Sequence, residues 1–199
     1  MATGVPSGNG ARSLPAGFEI YYPGKTPAQD VLRGQRAKLT RMLSVHGAPQ
    51  NSLIYGDNLR ALLALMDDSN VRGNVRLIYI DPPYATRSNF HSREQEHAYQ
   101  DNLSGSHYLE FLRQRLIVMR EILANDGSIY VHLDENMAFP VKVVMDEIFG
   151  ADNFRNWITR KKCNTKNYTR KQYGNISDYL MFYTKTDEWV WNQPFESWD

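Results

Sequence analysis

With 199 residues, 42% hydrophobic and 23% charged, the chain can form one globular domain with a core plus a short appendage. Lys and Arg number 23 against 22 Asp and Glu, so the net charge of +1 excludes a globally basic nucleic-acid binder; any such surface must come from local clustering. The single cysteine, Cys163, excludes a disulfide framework and a cysteine zinc cage, and no apolar run approaches the roughly 18 residues that span a bilayer.

No basic head followed by an apolar core opens the chain, so a cytoplasmic protein without a membrane partner is expected. Residues 1–17 are rich in Gly, Pro, Ser and Ala and predict a flexible tail. Residues 18–50 read as an N-terminal helical extension. Within them Val31, Leu39, Met42 and Leu43 predict an amphipathic helix over 28–45 with a basic face. Residues 51–199 then hold the main domain.

Leu53–Tyr55 is a short apolar run, expected to be a strand, closed by Gly56. Asp57-Asn58 caps a helical pattern of Leu59, Leu62, Leu63, Leu65 and Met66. Val75–Ile80 (VRLIYI), between Gly73-Asn74 and Asp81-Pro82-Pro83, predicts a buried parallel strand. Strand, helix, strand is the grammar of an α/β fold.

Residues 85–106 are polar and aperiodic and predict a long functional loop. Its histidines, His91 and His97, and the neighbouring His107 have no metal-ligand spacing, so no metal site is expected. Leu109, Leu112, Leu116, Met119, Ile122 and Leu123 predict a helix stopped by Asn125-Asp126-Gly127. Ser128–Leu133 predicts a strand, and 136–149 a helix begun near Pro140 and stopped by Gly150. The carboxylates Asp134 and Glu135 suit surface or capping roles. Asp178–Lys185 predicts a last aromatic strand.

Between them, residues 153–177 carry Arg155, Arg160, Lys161, Lys162, Lys166, Arg170 and Lys171 with no acid, interleaved with Trp157, Tyr168 and Tyr173. That pattern predicts a segment contacting DNA phosphates. Such contacts position a duplex without reading its sequence.

The tetrapeptide Asp81-Pro82-Pro83-Tyr84 follows a strand directly, where ligands bind in open α/β sheets. Two prolines fix the backbone and leave carbonyls without N–H groups of their own. With the Asp81 carboxylate they offer two acceptors to an exocyclic amino group, and Tyr84 offers a flat face for a base. An adenine N6 is a poor nucleophile because its lone pair is delocalised into the ring. Two acceptors localise that pair as a methyl group arrives.

The segment IYGDNLRALLALMDD…VRLIYIDPPYATRSNF resembles the amino-methylating DNA methyltransferases of the circularly permuted β group, which includes type III modification subunits. GFEIYYPGK, YLEFLRQRLIVMREIL, DGSIYVHLDEN, VKVVMDEIFGADNFRNWITRKK and DYLMFYTK are similar in the same order. The resemblance covers roughly residues 17–190. It implies a Rossmann-like, mixed, mainly parallel sheet, and methyl transfer from S-adenosylmethionine to an adenine flipped out of double-stranded DNA. It further implies that Asp81 and the Pro82 carbonyl accept from the amino group, that Pro83 completes the turn and that Tyr84 stacks on the base. Asp57 and Asn58 would lie by the donor's adenosine, a reading that stands beside plain helix capping. Asp rather than Ser at 81 favours adenine over cytosine N4.

Ala85 stands where many members have Asn, and Ser177-Asp178 where members often have His-Glu. After Tyr183 no Phe-x-Gly-x-Gly turn of the kind that holds the methyl donor follows. The sheet is thus expected to be incomplete, a catalytic portion without its main cofactor half. Expected partners are DNA, a second chain bearing that half or a restriction subunit, and a second copy of this chain. A non-catalytic DNA-binding or assembly fragment is the competing reading.

Overall fold

The computed structural model describes residues 18–39, 51–83, 105–163, 171, 173–193 and 195. Helices α1 (Ala28–Leu32) and α2 (Asn58–Met66) precede strand β1 (Val75–Ile80). Helix α3 (Ser106–Ile122) runs directly into β2 (Leu123–Leu133), followed by α4 (Ala138–Phe149). Strands β3 (Phe154–Lys161) and β4 (Ser177–Thr184) complete the order.

The strands form one sheet in the order β1-β2-β4-β3. β1 pairs parallel to β2, and β4 lies antiparallel between β2 and β3. β1, β2 and β3 therefore point one way and β4 the other, so the sheet is mixed as expected, but one pairing among the described strands is parallel and two are antiparallel, because β4 lies between β2 and β3.

Period-two alternation decides which side of the sheet is dry. Ile129, Val131 and Leu133 of β2, with Met181 and Tyr183 of β4, are fully buried on the helix side. Leu109, Leu112, Leu116 and Met119 of α3 repeat at helical spacing and meet them, with Val141, Val144 and Met145 of α4. The next stripe of α3, Ile117, Val118 and Ile122, packs on Leu63 and Met66 of α2 and Val31 of α1. α3 is thus buried from two sides.

The structure corrects several expectations. The helix expected over 28–45 is helical only at Ala28–Leu32; 35–39 form no regular element, and 40–50 lie outside the described residues. Gly34 ends it, where an added Cβ would lie 3.0 Å from Leu63 Cδ1. Leu53–Tyr55 forms no strand, and Leu53 and Tyr55 are fully exposed. β1 has the predicted bounds and parallel pairing but is an edge strand. Leu77 and Tyr79, 62% and 56% exposed, point away from the helices. β3 is a strand the sequence pattern does not announce, because its outer end (Ile158–Lys161) is exposed and lacks an apolar alternation. The tail 1–17 and most of the loop 85–106 lie outside the described residues.

Candidate active site

Asp81 leaves the carboxyl end of β1 immediately beyond Ile80, which pairs with Val131 of β2. Its side chain is 56% exposed, and its Oδ1 lies 3.3 Å from Nδ1 of His132. His132 follows Val131 and so turns to the sheet face opposite the core, in register with Leu180. It is buried all the same, and its Nε2 lies 3.6 Å from Oδ2 of Asp178. Pro82 is half-buried and Pro83 exposed; Tyr84 lies outside the described residues.

Asp178, also buried, receives Lys162 Nζ at 3.1 Å and Arg160 Nη1 at 3.4 Å from the end of β3. Lys162 reaches Glu135 as well, at 3.2 Å. Burial works against the Lys162 ammonium, but Asp178 and Glu135 outweigh it and hold the pKa above the usual lysine value. Burial likewise works to raise Glu135, and its hydrogen bonds, with Lys162 and Asn175 among the donors, bring it below the usual carboxylate value. A line of polar contacts therefore runs from Asp81 through His132, Asp178 and Lys162 to Glu135. Asp134 stands apart from that line and closes the turn before α4, where its Oδ1 accepts from the Met137 N–H.

The sequence reading missed His132 and Asp178 as parts of this cluster. The available signal was a lone imidazole in the otherwise apolar strand SIYVHL.

Asp57 caps α2, its Oδ1 accepting from the Arg60 N–H at 3.0 Å. Asn58 Oδ1 accepts from Arg115 Nε at 2.6 Å, which ties α2 to α3. Asp57 also stands on the wall of an open cavity of about 400 Å³, with Leu59, Ser106, His107, Phe111 and Gln114 around it. A carboxylate suits ribose hydroxyls there, while the Arg115 guanidinium covers one face of Phe111, 3.4 Å from the ring centroid.

The basic residues divide. Arg155 is committed within the fold: it donates to Thr184 Oγ1 and the Thr186 carbonyl and stacks on Trp189. Arg160 and Lys162 find in Asp178 and Glu135 the acids their own segment lacks. Lys161 and Lys171 are exposed; Lys166 and Arg170 lie outside the described residues.

Comparison with known proteins identifies the family. Residues 75–198 match the DNA methylase family of N6 and N4 methyltransferases. The type II methyltransferase M.EcaI of Enterobacter cloacae is 44% identical over 185 residues, 90% of this chain and 40% of that protein. The probable type III restriction-modification enzyme HindVI Mod subunit of Haemophilus influenzae is 40% identical over 116 residues, 58% of this chain and 14% of that protein. The chain thus spans two fifths or less of these curated relatives. The solved PvuII DNA methyltransferase (cytosine-N4-specific) superposes with a TM-score of 0.47 at 15% identity, over 67% of this chain and 49% of that one. By the match over 75–198, which takes in the Asp81 turn, His132 and Asp178, the chain belongs to the N6/N4 DNA methylase family.

Proposed function

We propose that this chain is the catalytic portion of a site-specific DNA adenine-N6 methyltransferase of a restriction-modification system. It would act on an adenine turned out of the duplex, with S-adenosylmethionine as methyl donor. The observation that carries the reading is the half-exposed Asp81 carboxylate, braced from behind by buried His132 and followed by two prolines at the carboxyl end of the sheet.

Asp81 and the Pro82 carbonyl would accept from the N6 amino group and localise its lone pair. As N6 takes the methyl group it would release one proton along its hydrogen bond to Asp81 and on to water. When bound, the donor supplies a methyl group already activated as a sulfonium. Asp57 and the cavity beside it would hold its adenosine side, with Asn58 fixing the start of α2 through Arg115. Tyr84 would stack on the extruded base. Lys161, Lys166, Arg170 and Lys171 would hold phosphates, with Arg160, Lys162 and Arg155 shaping that surface. Aspartate at position 81 supports adenine as the target over cytosine N4.

One observation favours a second reading for the isolated chain. The outward residues of β1, Leu77 and Tyr79, and the run Leu53–Tyr55 leave apolar side chains in water. Relatives are more than twice as long. The chain would then work beside a segment or second chain bearing the donor-binding half, and bind DNA without turnover when alone.

The test is incubation with S-adenosylmethionine and unmethylated mixed-sequence DNA, followed by mass spectrometry of the nucleosides. N6-methyladenine from the native chain and none from Asp81→Ala is the expected result. N4-methylcytosine would redirect the reading to cytosine. DNA binding without any modified base would favour the fragment reading.

A further inference from the structure

We propose that His132 is a positioning residue for the Asp81 carboxylate: its imidazole, anchored at the far side on Asp178, holds that carboxylate toward the space where the target amino group would sit. The inference rests on the role proposed for Asp81 and extends it.

Three features of the cluster lead there. Asp81 sits at the exposed end of an edge strand, where a carboxylate left alone turns freely about χ1 and χ2. A catalytic acceptor must instead present one oxygen in a fixed direction, since small misplacements cost large factors in rate. His132 lies 3.3 Å from Oδ1 through Nδ1 and would leave Oδ2 for the amino group.

The imidazole is itself a rigid strut. It is planar, it is buried on the central strand β2, and its two nitrogens lie on opposite sides of the ring. Nε2 lies 3.6 Å from Asp178 Oδ2, so a carboxylate flanks the ring at each end. Asp178 in turn is fixed by Lys162 and Arg160 from β3, and Lys162 by Glu135 from the turn after β2. Among the described residues the charged groups that face the ring or stand behind it include Asp81, Asp178, Arg160, Lys162 and Glu135. The arrangement has the logic of supports behind a reacting carboxylate, in which partners of a functional group lock its rotamer.

The two ring nitrogens can be tested separately. In His132→Asn the side-chain amide reaches about as far as Nδ1 and keeps a polar group beside Asp81. In His132→Gln the amide reaches toward the Nε2 position and Asp178. Single-turnover methyl transfer with saturating DNA is the readout, with DNA affinity and urea stability measured alongside. His132→Gln and His132→Ala are expected to slow transfer about 10–100-fold with unchanged DNA affinity, and His132→Asn by no more than about threefold. Equal slowing of Asn and Gln variants, or none in either while Asp81→Ala is inert, would overturn the positioning role alone. Asp81→Ala turning over at the native rate would instead remove the reading beneath it.

A measurement independent of turnover decides the contact itself. In long-range ¹H–¹⁵N spectra of the native chain at fixed pH, Asp81→Ala is expected to move the His132 ring resonances and leave those of His107 in place. Unmoved His132 resonances would overturn the proposal.

Discussion

The Tyr183 hydroxyl donates to Asp146 Oδ1 across 2.7 Å and so pins strand β4 to helix α4 from inside the core. Lys142 closes on the same carboxylate at 2.7 Å, which offsets the charge brought under the sheet. Removing the hydroxyl in Tyr183→Phe should cost about 1–3 kcal/mol, because Asp146 keeps Lys142 but loses its buried donor. Urea denaturation would measure it.

The same contact sets an alkaline limit. Burial first, and then the Asp146 carboxylate, push the Tyr183 phenol well above its ordinary value of 10.0. Tyr22 is raised in the same way by burial and by Glu110. A proton held more tightly in the folded state stabilises fully below the unfolded value, and that stability is lost as pH rises past 10. Stability measured from pH 9 to 11.5 should therefore fall for the native chain and fall less steeply for Tyr183→Phe.

Glu110 governs the acid side of another contact. Burial acts to raise its pKa, but donors from Tyr22, Gln114 and the Thr26 N–H outweigh it and hold the carboxylate below its usual range. Its stabilisation is present above the ordinary carboxylate value and is lost as pH falls through the lowered one. Glu110→Gln should flatten the acid limb of stability and release the segment around Tyr22. Faster amide hydrogen exchange at 20–27 would report that release.

Gly127 sits where β2 bulges against β1. A Cβ there would lie 2.8 Å from Leu123 Cγ and 2.9 Å from the Val75 carbonyl oxygen. Gly127→Ala should therefore destabilise by about 1–3 kcal/mol through overpacking against backbone. Leu116→Ala, a cavity in the centre of α3, should cost about 2–5 kcal/mol. Thermal or urea unfolding of both variants checks the two figures.

The basic segment should separate into binders and braces. Lys161→Ala and Lys171→Ala are expected to weaken DNA binding for every sequence, each lowering the salt-dependence slope by about 0.9. Arg155→Ala should lower stability first, because Thr184, Thr186 and Trp189 lose their common partner. Fluorescence anisotropy at several salt concentrations, read beside unfolding curves, distinguishes them.

Much of the fold was legible because local chemistry and tertiary outcome agree. Asp57 before an apolar repeat marks α2, and Gly150 marks the end of α4, where it takes φ 92°. The β-branched run Val75–Ile80 between turn residues has the bounds of β1. Where they disagree, the sequence misled. Leu53–Tyr55 is apolar enough for a strand but has no neighbour among the described strands to accept its backbone bonds. β3 is polar along its outer half, yet it forms because β4 supplies an antiparallel ladder, continuous from Asn156 to Lys161.

By itself the sequence determined the α/β grammar, the acceptor turn Asp81-Pro82-Pro83 at a strand end, and the likeness to amino methyltransferases. Those features are local: each depends on residues within one short stretch. Only the tertiary structure decided that His132 and Asp178, far apart along the chain, meet behind Asp81, and that acids from other strands answer Lys162 and Arg160. A sequence fixes which face of its own strand a side chain takes, but the pairing of strands decides which distant charge lies opposite, and burial then makes that partner count.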